Sequence, residues 1–595
     1  MIDPHQPSDA VLLQVSPASP TLALHGPGYN PRKFDRHLGG GPIRALFSVI
    51  AYSTLVVLPV QQATDRVKTA NGVIESTAAP RVGVRSFKGI PFAQPPMGDL
   101  RWREPQPVKN WNGIRNADRF GPRCMQWPPG NVDTSRGSGT SEDCLYLNVW
   151  TSAKSAKDRL PVLVYIYGGA FQNGDGSELP YDGESMARQG IVAVSINHRN
   201  GIFGFFVHPA LVTESPHHAA GNYGLLDQAA ALQWVQRNIA AFGGDVNRVI
   251  VAGESSGSMS VGALMASPLS KNLIAGAIGE SGSIIYQSEY APRSLADAAQ
   301  DGAKFGAAAG ATTLAALRAM TAAQIQDAER VQADAASARG VQWSYYRFNE
   351  DIDGYFLPKP PIAIYEAGEQ ARIPLVAGSN TAEQPANAVL GDRDPTPDVL
   401  ANAIRKFYGD RADPVLKAYA ATTTDEVYEA AAHLASARFM SWSTWKWTEL
   451  HMKTGGKPVY RYLYAHPRPL PLAMPAQPGS GTSTASKGSV TDGIQRPSAP
   501  LGARHGVEIV YAMGNLDLDT RYPWEPADYE VSKVMQAYFV NFIKTGNPNG
   551  PGVPDWPAYR ADTGYQRMRI DVKSQAEPEA HRDRYLALET ATAKR

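Results

Sequence analysis

The sequence predicts an α/β protein: a large, mostly parallel twisted sheet flanked by helices. Three observations carry that expectation. Strand-like and helix-like runs alternate along the chain, the order that builds a parallel sheet. Two of the strand-like runs, 160–167 and 191–196, are apolar almost throughout, as strands covered on both faces are. The β-branched run Val249-Ile250-Val251 leads through Ala252 into Gly253-Glu254-Ser255-Ser256-Gly257, a sharp strand-to-helix turn.

The chain has 595 residues, 43% of them hydrophobic, enough for a sizeable core. Its formal net charge of +1 argues against nucleic acid as a partner. Near the start, Arg32, Lys33, Arg36 and Arg44 precede an uncharged apolar stretch, 45–58. That length suits the core of an export signal and is short for a membrane span. We therefore expect 1–63 to be a leader with a signal peptide, cleaved near Ala63, and 64–595 to be a single exported domain. No later stretch is apolar enough to span a bilayer, so no stable membrane insertion is expected after processing. The two cysteines, Cys124 and Cys144, suggest one disulfide in an exported chain, two separate buried thiols being the alternative. Closing that loop stabilises by about 3 kcal/mol on the chain-entropy account. No Cys/His cluster has metal-ligand spacing.

Taken in order, 81–87 reads as a strand, and 87–98 as a Pro- and Gly-rich path without a regular ladder. A strand follows 141–145, and the run 160–167 breaks at Gly168-Gly169-Ala170. Segment 222–239 is helical, with Leu225, Ala229, Leu232, Val235 and Ile239 on one stripe. After the turn at Ser255, 258–265 reads as a helix of small residues able to lie close to a sheet. The alanine-rich 295–336 and the stretch 397–453 are helical, with a short strand, 373–377, stopping at Gly378 between them. Segment 459–464 alternates as a strand. Residues 466–500 are dense in Pro, Gly, Ser and Thr, as lids and linkers are. The last amphipathic helix is expected over 529–543.

The chemistry starts at Ser255. G-x-S-x-G after a strand and before a helix is the pattern of a nucleophile elbow. Crowding around the strained serine favours glycine two residues to either side. The turn exposes the hydroxyl and aims the Ser256 N–H, at a helix start, to where negative charge would develop. A serine needs a base. His505 stands between Gly502 and Gly506 on a loop that can approach another loop closely. The base needs an acid to hold it. Glu383 lies just beyond the strand end at 378–382, on the sheet edge where such sheets bind ligands. Asp353 and Glu369 are rival acids on local sequence. The order Ser255, Glu383, His505 is the one found in α/β-hydrolases. Gly169 and Ala170 can offer backbone donors for an oxyanion.

These segments resemble the type-B carboxylesterases, the family of cholinesterases, fungal lipases and bacterial p-nitrobenzyl esterases. The matching stretches are 87–102, 141–150, 165–171, 222–245, 253–257, 378–383 and 502–509, with echoes at 546–550 and 556–557, so the likeness covers roughly 70–570. The resemblance implies an α/β-hydrolase fold and a serine carboxylic-ester hydrolase acting through an acyl-enzyme on small-molecule esters, with no metal or organic cofactor. It implies Ser255 as nucleophile, His505 as base and Glu383 as acid, with Gly169, Ala170 and Ser256 as oxyanion donors. Ser281 maps to a serine near the triad, Cys124 and Cys144 to the family's N-terminal disulfide. Arg101 with Glu142, and Arg199 with Asp227, map to buried ion pairs. The chain departs from the family at Ser256, where alanine is usual, and at Glu280, where glutamine is common. It also departs at Gln384-Pro385, where glycine usually follows the acid. Two other readings are distinguishable: the same triad applied to lipid, thioester or amide bonds, and, more distantly, a cholinesterase-like module that only binds.

Overall fold

The computed structural model describes residues 65–76, 83–126, 134–286, 291–338, 348–472 and 502–592. Ten strands form the main sheet: β1 (Arg85–Pro91), β2 (Tyr146–Thr151), β3 (Leu160–Ile166), β4 (Val192–Ile196), β5 (Gly244–Glu254), β6 (Gly276–Glu280), β7 (Leu375–Asn380), β8 (Val459–Tyr464), β9 (Gln566–Ile570) and β10 (Gln575–Pro578). Their spatial order is β10-β9-β8-β7-β6-β5-β3-β4-β2-β1. The central pairings, from β9 to β4, are all parallel. The three at the edges are antiparallel. The fold is the α/β-hydrolase fold, with a mixed rather than wholly parallel sheet.

Alternation along the central strands explains why their sequences are continuously apolar. Val162, Val164 and Ile166 of β3 enter one core cluster, and Leu163 and Tyr165 enter another. Val249 and Val251 of β5 go with the first set, Ile250 and Ala252 with the second. Each strand therefore feeds both faces. The first face is covered by α1 (Tyr223–Asn238) and α2 (Ser256–Ala266), the second by Pro526–Thr545. All eleven residues of α2 are buried, and its glycines, serines and alanines let it lie against β5 and β6. Among the described residues no helix is long and apolar enough to cross a membrane.

Several boundaries differ from the sequence reading. β1 runs on to Pro91 through the segment expected to lack a ladder, with a register shift between Phe87 and Ile90. The bulge absorbs Gly89 and lets pairing resume. β7 passes through Gly378 to Asn380, because β8 pairs with it as far as Tyr464. Pro526–Thr545 is not the last helix: β9, β10 and Arg582–Thr592 follow. Cys124 and Cys144 are joined in a disulfide. Arg101 pairs with Glu142 at 2.6 Å and Arg199 with Asp227 at 2.7 Å. The leader expectation for 1–63 falls outside the described residues, as does most of 466–500.

Candidate active site

The elbow at the end of β5 is built as its pattern requires. Ser255 has φ 56° and ψ −122°, a strained conformation for a residue with a side chain. Its N–H donates to Glu280 O at 2.8 Å, fixing the turn against β6. A Cβ on Gly257 would run into the Ile166 carbonyl oxygen of β3, so the position admits only glycine. The loop after β3 turns equally sharply. Gly169 has φ 118°, and Ala170 and Phe171 also have positive φ, at 56° and 59°. No protein acceptor among the described residues takes the N–H of Gly169, Ala170 or Ser256. The side chains of Ala170 and Phe171 share a small cavity with Ser255.

Two loops carry the other reactive groups, and backbone bonds lace them together. Ala382 N–H donates to Ala503 O and Ala503 N–H to Thr381 Oγ1, both at 2.9 Å. The lacing sets Glu383 beside His505. His505 Nε2 lies 3.0 Å from Ser255 Oγ, and its Nδ1 lies 2.6 Å from Glu383 Oε2. The tautomer protonated at Nδ1 donates to Glu383 and leaves Nε2 free to accept the serine proton. Glu383 Oε1 in turn accepts Asn380 N–H at 2.7 Å. The rival acids lie elsewhere in role. Asp353 accepts Tyr355 and Leu357 N–H within its own turn, and Glu369 forms an exposed ion pair with Lys359.

Sequence reasoning missed the acids around this line. Glu254, beside the nucleophile, places Oε1 3.3 Å from His505 Nε2. Glu508 accepts Ser281 Oγ–H at 3.0 Å and Asn380 Nδ2–H at 2.5 Å. Ser281 thus reaches the site through Glu508 and Asn380. Glu280 stands opposite Glu254 in the β5–β6 register and accepts Tyr165 O–H at 2.9 Å. Oε1 of Glu254 and Oε2 of Glu280 are buried without a hydrogen-bond donor. The one available signal was position: Glu254 lies within the elbow pentapeptide and Glu508 three residues after His505.

Burial first, then the charges of Glu508 and Glu383, raise the Glu254 carboxyl; burial, then Glu383, raises Glu508; burial, then Glu508 and Glu254, raises Glu280 far above the usual range. Burial alone would lower His505. Glu254 and Glu383 act the other way and hold the ring above an ordinary histidine. Burial is the largest single contribution, but the raising effects of Glu254, Glu383 and Glu508 add and together prevail. The two effects are linked, since a Glu254 that keeps its proton no longer raises His505.

A strained serine, an imidazole and a carboxyl in one hydrogen-bonded line at the carboxyl edge of this sheet define a serine hydrolase. The chain belongs to the carboxylesterase family, whose model matches residues 63–587. A fumonisin B1 esterase from Sphingopyxis macrogoltabida is 34% identical over 86% of this chain and 89% of its own. Rabbit (Oryctolagus cuniculus) liver carboxylesterase 1 is 32% identical over 83% and 86%. The Geobacillus stearothermophilus carboxylesterase EST55 superposes with a TM-score of 0.70 at 28% identity, over 88% of this chain and 99% of that one. The protein is therefore a carboxylic-ester hydrolase, which sets aside the reading of a module that only binds.

Proposed function

We propose that Ser255, His505 and Glu383 are the catalytic triad of this esterase, with Gly169, Ala170 and Ser256 N–H groups as its oxyanion hole. The observation that carries the reading is the line from Ser255 Oγ to His505 Nε2, 3.0 Å, and from His505 Nδ1 to Glu383, 2.6 Å. His505 takes the hydroxyl proton as Ser255 Oγ attacks the ester carbonyl. The oxyanion collects against the three backbone donors. His505 then gives its proton to the leaving alcohol, and the acyl-enzyme remains. Water, deprotonated by His505, attacks next, and the acid leaves as Ser255 regains its proton. Glu383 holds the ring in the working tautomer and stabilises the imidazolium. This chain's own residues account for every proton.

The substrates are small-molecule carboxylic esters. The relatives are named for a fumonisin, for liver carboxylesterases and, in one case, for medium-chain fatty acyl-CoA hydrolysis. The cavity beside Ser255, about 40 Å³, favours small ester groups over long acyl chains at rest. Residues 1–63 are read as the leader and 64–595 as one exported domain, in keeping with the disulfide between Cys124 and Cys144.

The experiment is active-site labelling with a fluorophosphonate, beside turnover of a short aryl ester. The wild type should label at Ser255 and turn over. Ser255→Ala should lose both at an unchanged melting temperature, with a rate loss of at least about 10³-fold. Turnover retained in that variant would falsify the assignment.

A further inference from the structure

Part of the cavity wall beside Ser255 is made by a helical turn of unusual pitch. Helix α3 (Thr424–Ser436) passes through a π-helical turn, Ala437–Ser441, into α4 (Trp442–Thr454). A π turn inserts an extra residue and loosens the i→i−4 ladder, and such turns gather at functional sites. Here hydroxyls support the local backbone. Ser443 Oγ and Thr444 Oγ1 both donate to Met440 O, at 2.9 and 3.0 Å. Thr444 Oγ1 also accepts Gly282 N–H at 2.9 Å, which ties the turn to the strand end carrying Ser281.

The turn delivers two consecutive side chains to one place. Phe439 and Met440 both line the cavity with Ser255. In a regular helix neighbouring side chains diverge by about 100°. The Phe439 ring lies 4.9 Å from the His505 ring, centroid to centroid, at 74°. Met440 Sδ lies 3.3 Å from the Tyr286 hydroxyl, which also lies 3.0 Å from Met259 Sδ. The cavity is therefore lined by a phenol between two thioethers and by an aromatic ring against the imidazole.

We propose that the π turn Ala437–Ser441 is the specificity-determining wall of the site, Met440 limiting the size of one arm of the ester and Phe439 acting as a positioning residue for His505. The proposal rests on the triad reading above. A cavity of about 40 Å³ holds a few waters' worth of substituent, the scale of an acetyl to butyryl group. Methionine walls yield more readily than branched ones, so the limit is graded rather than absolute. Phe439 restricts the swing of the ring away from Ser255, and its face or edge also bears on the imidazolium formed during turnover.

The test compares wild type, Met440→Ala, Met440→Leu, Phe439→Ala and Phe439→Leu on two ester series. One lengthens the acyl group in p-nitrophenyl acetate, butyrate and octanoate, and the other enlarges the alcohol in a set of acetates. In one series the wild type should favour the smallest member by at least about tenfold in kcat/KM, Met440→Ala should erase most of that preference, and Met440→Leu should keep it. Phe439→Ala should lower kcat on the smallest ester about tenfold with KM within about twofold, and move the acid limb of the pH profile, Phe439→Leu falling between. Melting temperatures establish that the variants are folded, and the leucine variants carry the test if an alanine variant does not fold. An active wild type whose size preference is untouched by Met440 overturns the specificity half. Wild-type kcat and pH profile in Phe439→Ala overturns the positioning half. A wild type inert toward every ester sinks the triad reading and this proposal with it.

Discussion

Two sets of buried charges in this molecule are built on opposite plans. Arg199 and Asp227 are 3% and 0% exposed, and two parallel hydrogen bonds, 2.8 and 2.7 Å, join them. Arg101 and Glu142 are joined likewise, at 2.6 Å twice, and Arg101 Nη1 spends its hydrogens on carbonyls including Met320 O at 2.6 Å. At the ends of β5, β6 and β7 the arrangement is reversed. Glu254, Glu383 and Glu508 act on one imidazole, Glu280 stands behind them opposite Glu254, and two of the four acids' oxygens lack any donor. In the two ion pairs each buried acid faces a guanidinium, with Arg199 Nη1 left without an acceptor. Beside His505 buried carboxyls outnumber cations, and burial first, then their mutual charges, raises Glu254, Glu280 and Glu508.

Glu383→Gln keeps the shape but replaces a charged, acceptor-only group by an amide that can donate to Nδ1 and hold the wrong tautomer. We expect kcat to fall about 10³–10⁴-fold with little change in unfolding midpoint. A loss under tenfold, measured on the same aryl ester, would move the acid role to Glu254 or Glu508. The matched set should behave in the opposite way. Arg199→Met strands Asp227 in the interior and should cost about 3–5 kcal/mol in denaturant unfolding. Replacing both partners by apolar residues should recover much of that, because the pair's desolvation is then removed too. If the single and double variants unfold alike, the pair is not the unit of stability we take it to be.

Smaller effects sharpen the contrast. The raised His505 must be neutral to act as base, so activity is lost as pH falls through its folded pKa. The acid limb of kcat/KM should therefore lie above the ordinary value of about 6.5. Glu254→Gln removes one of the charges that raise the ring, and should carry the limb toward lower pH. A limb that stays in place in this variant means that Glu254 is already protonated in the free enzyme. Glu280→Gln is the mildest change. An acid raised on folding contributes stability that is intact below its unfolded pKa and lost as pH rises through the folded one. The amide cannot ionise, so it should gain on the wild type progressively as pH rises above the unfolded carboxyl's value of about 4.3, the gain levelling off above the folded one. Thermal melts at two pH values measure it.

What the sequence reveals follows the range of each interaction. The strands of the sheet centre are legible because burial on both faces leaves an apolar run, and β8 begins and ends where its alternation does. The elbow is legible because sterics demand glycine beside a strained serine. β10 is four residues of Gln575-Ala576-Glu577-Pro578, paired only on one side, and no apolar pattern marks it. Glu383 could not be told from Asp353 or Glu369 without the resemblance, since contact with His505 separates them and that contact is set by the fold. The π turn is invisible for the same reason. Ala437-Arg438-Phe439-Met440-Ser441 reads as more helix, and only the contact of Phe439 with His505 gives the inserted residue a purpose.

The hydroxyl of Ser255 and the ring it depends on stand 250 positions apart in the chain. A ribosome adding 5–20 residues per second needs roughly 12–50 s to cover that distance. For that interval the newborn polypeptide carries the serine but not the imidazole, and so no hydrolytic power. On the triad reading, reactivity therefore appears only once the final part of the chain has been made and has closed onto the sheet.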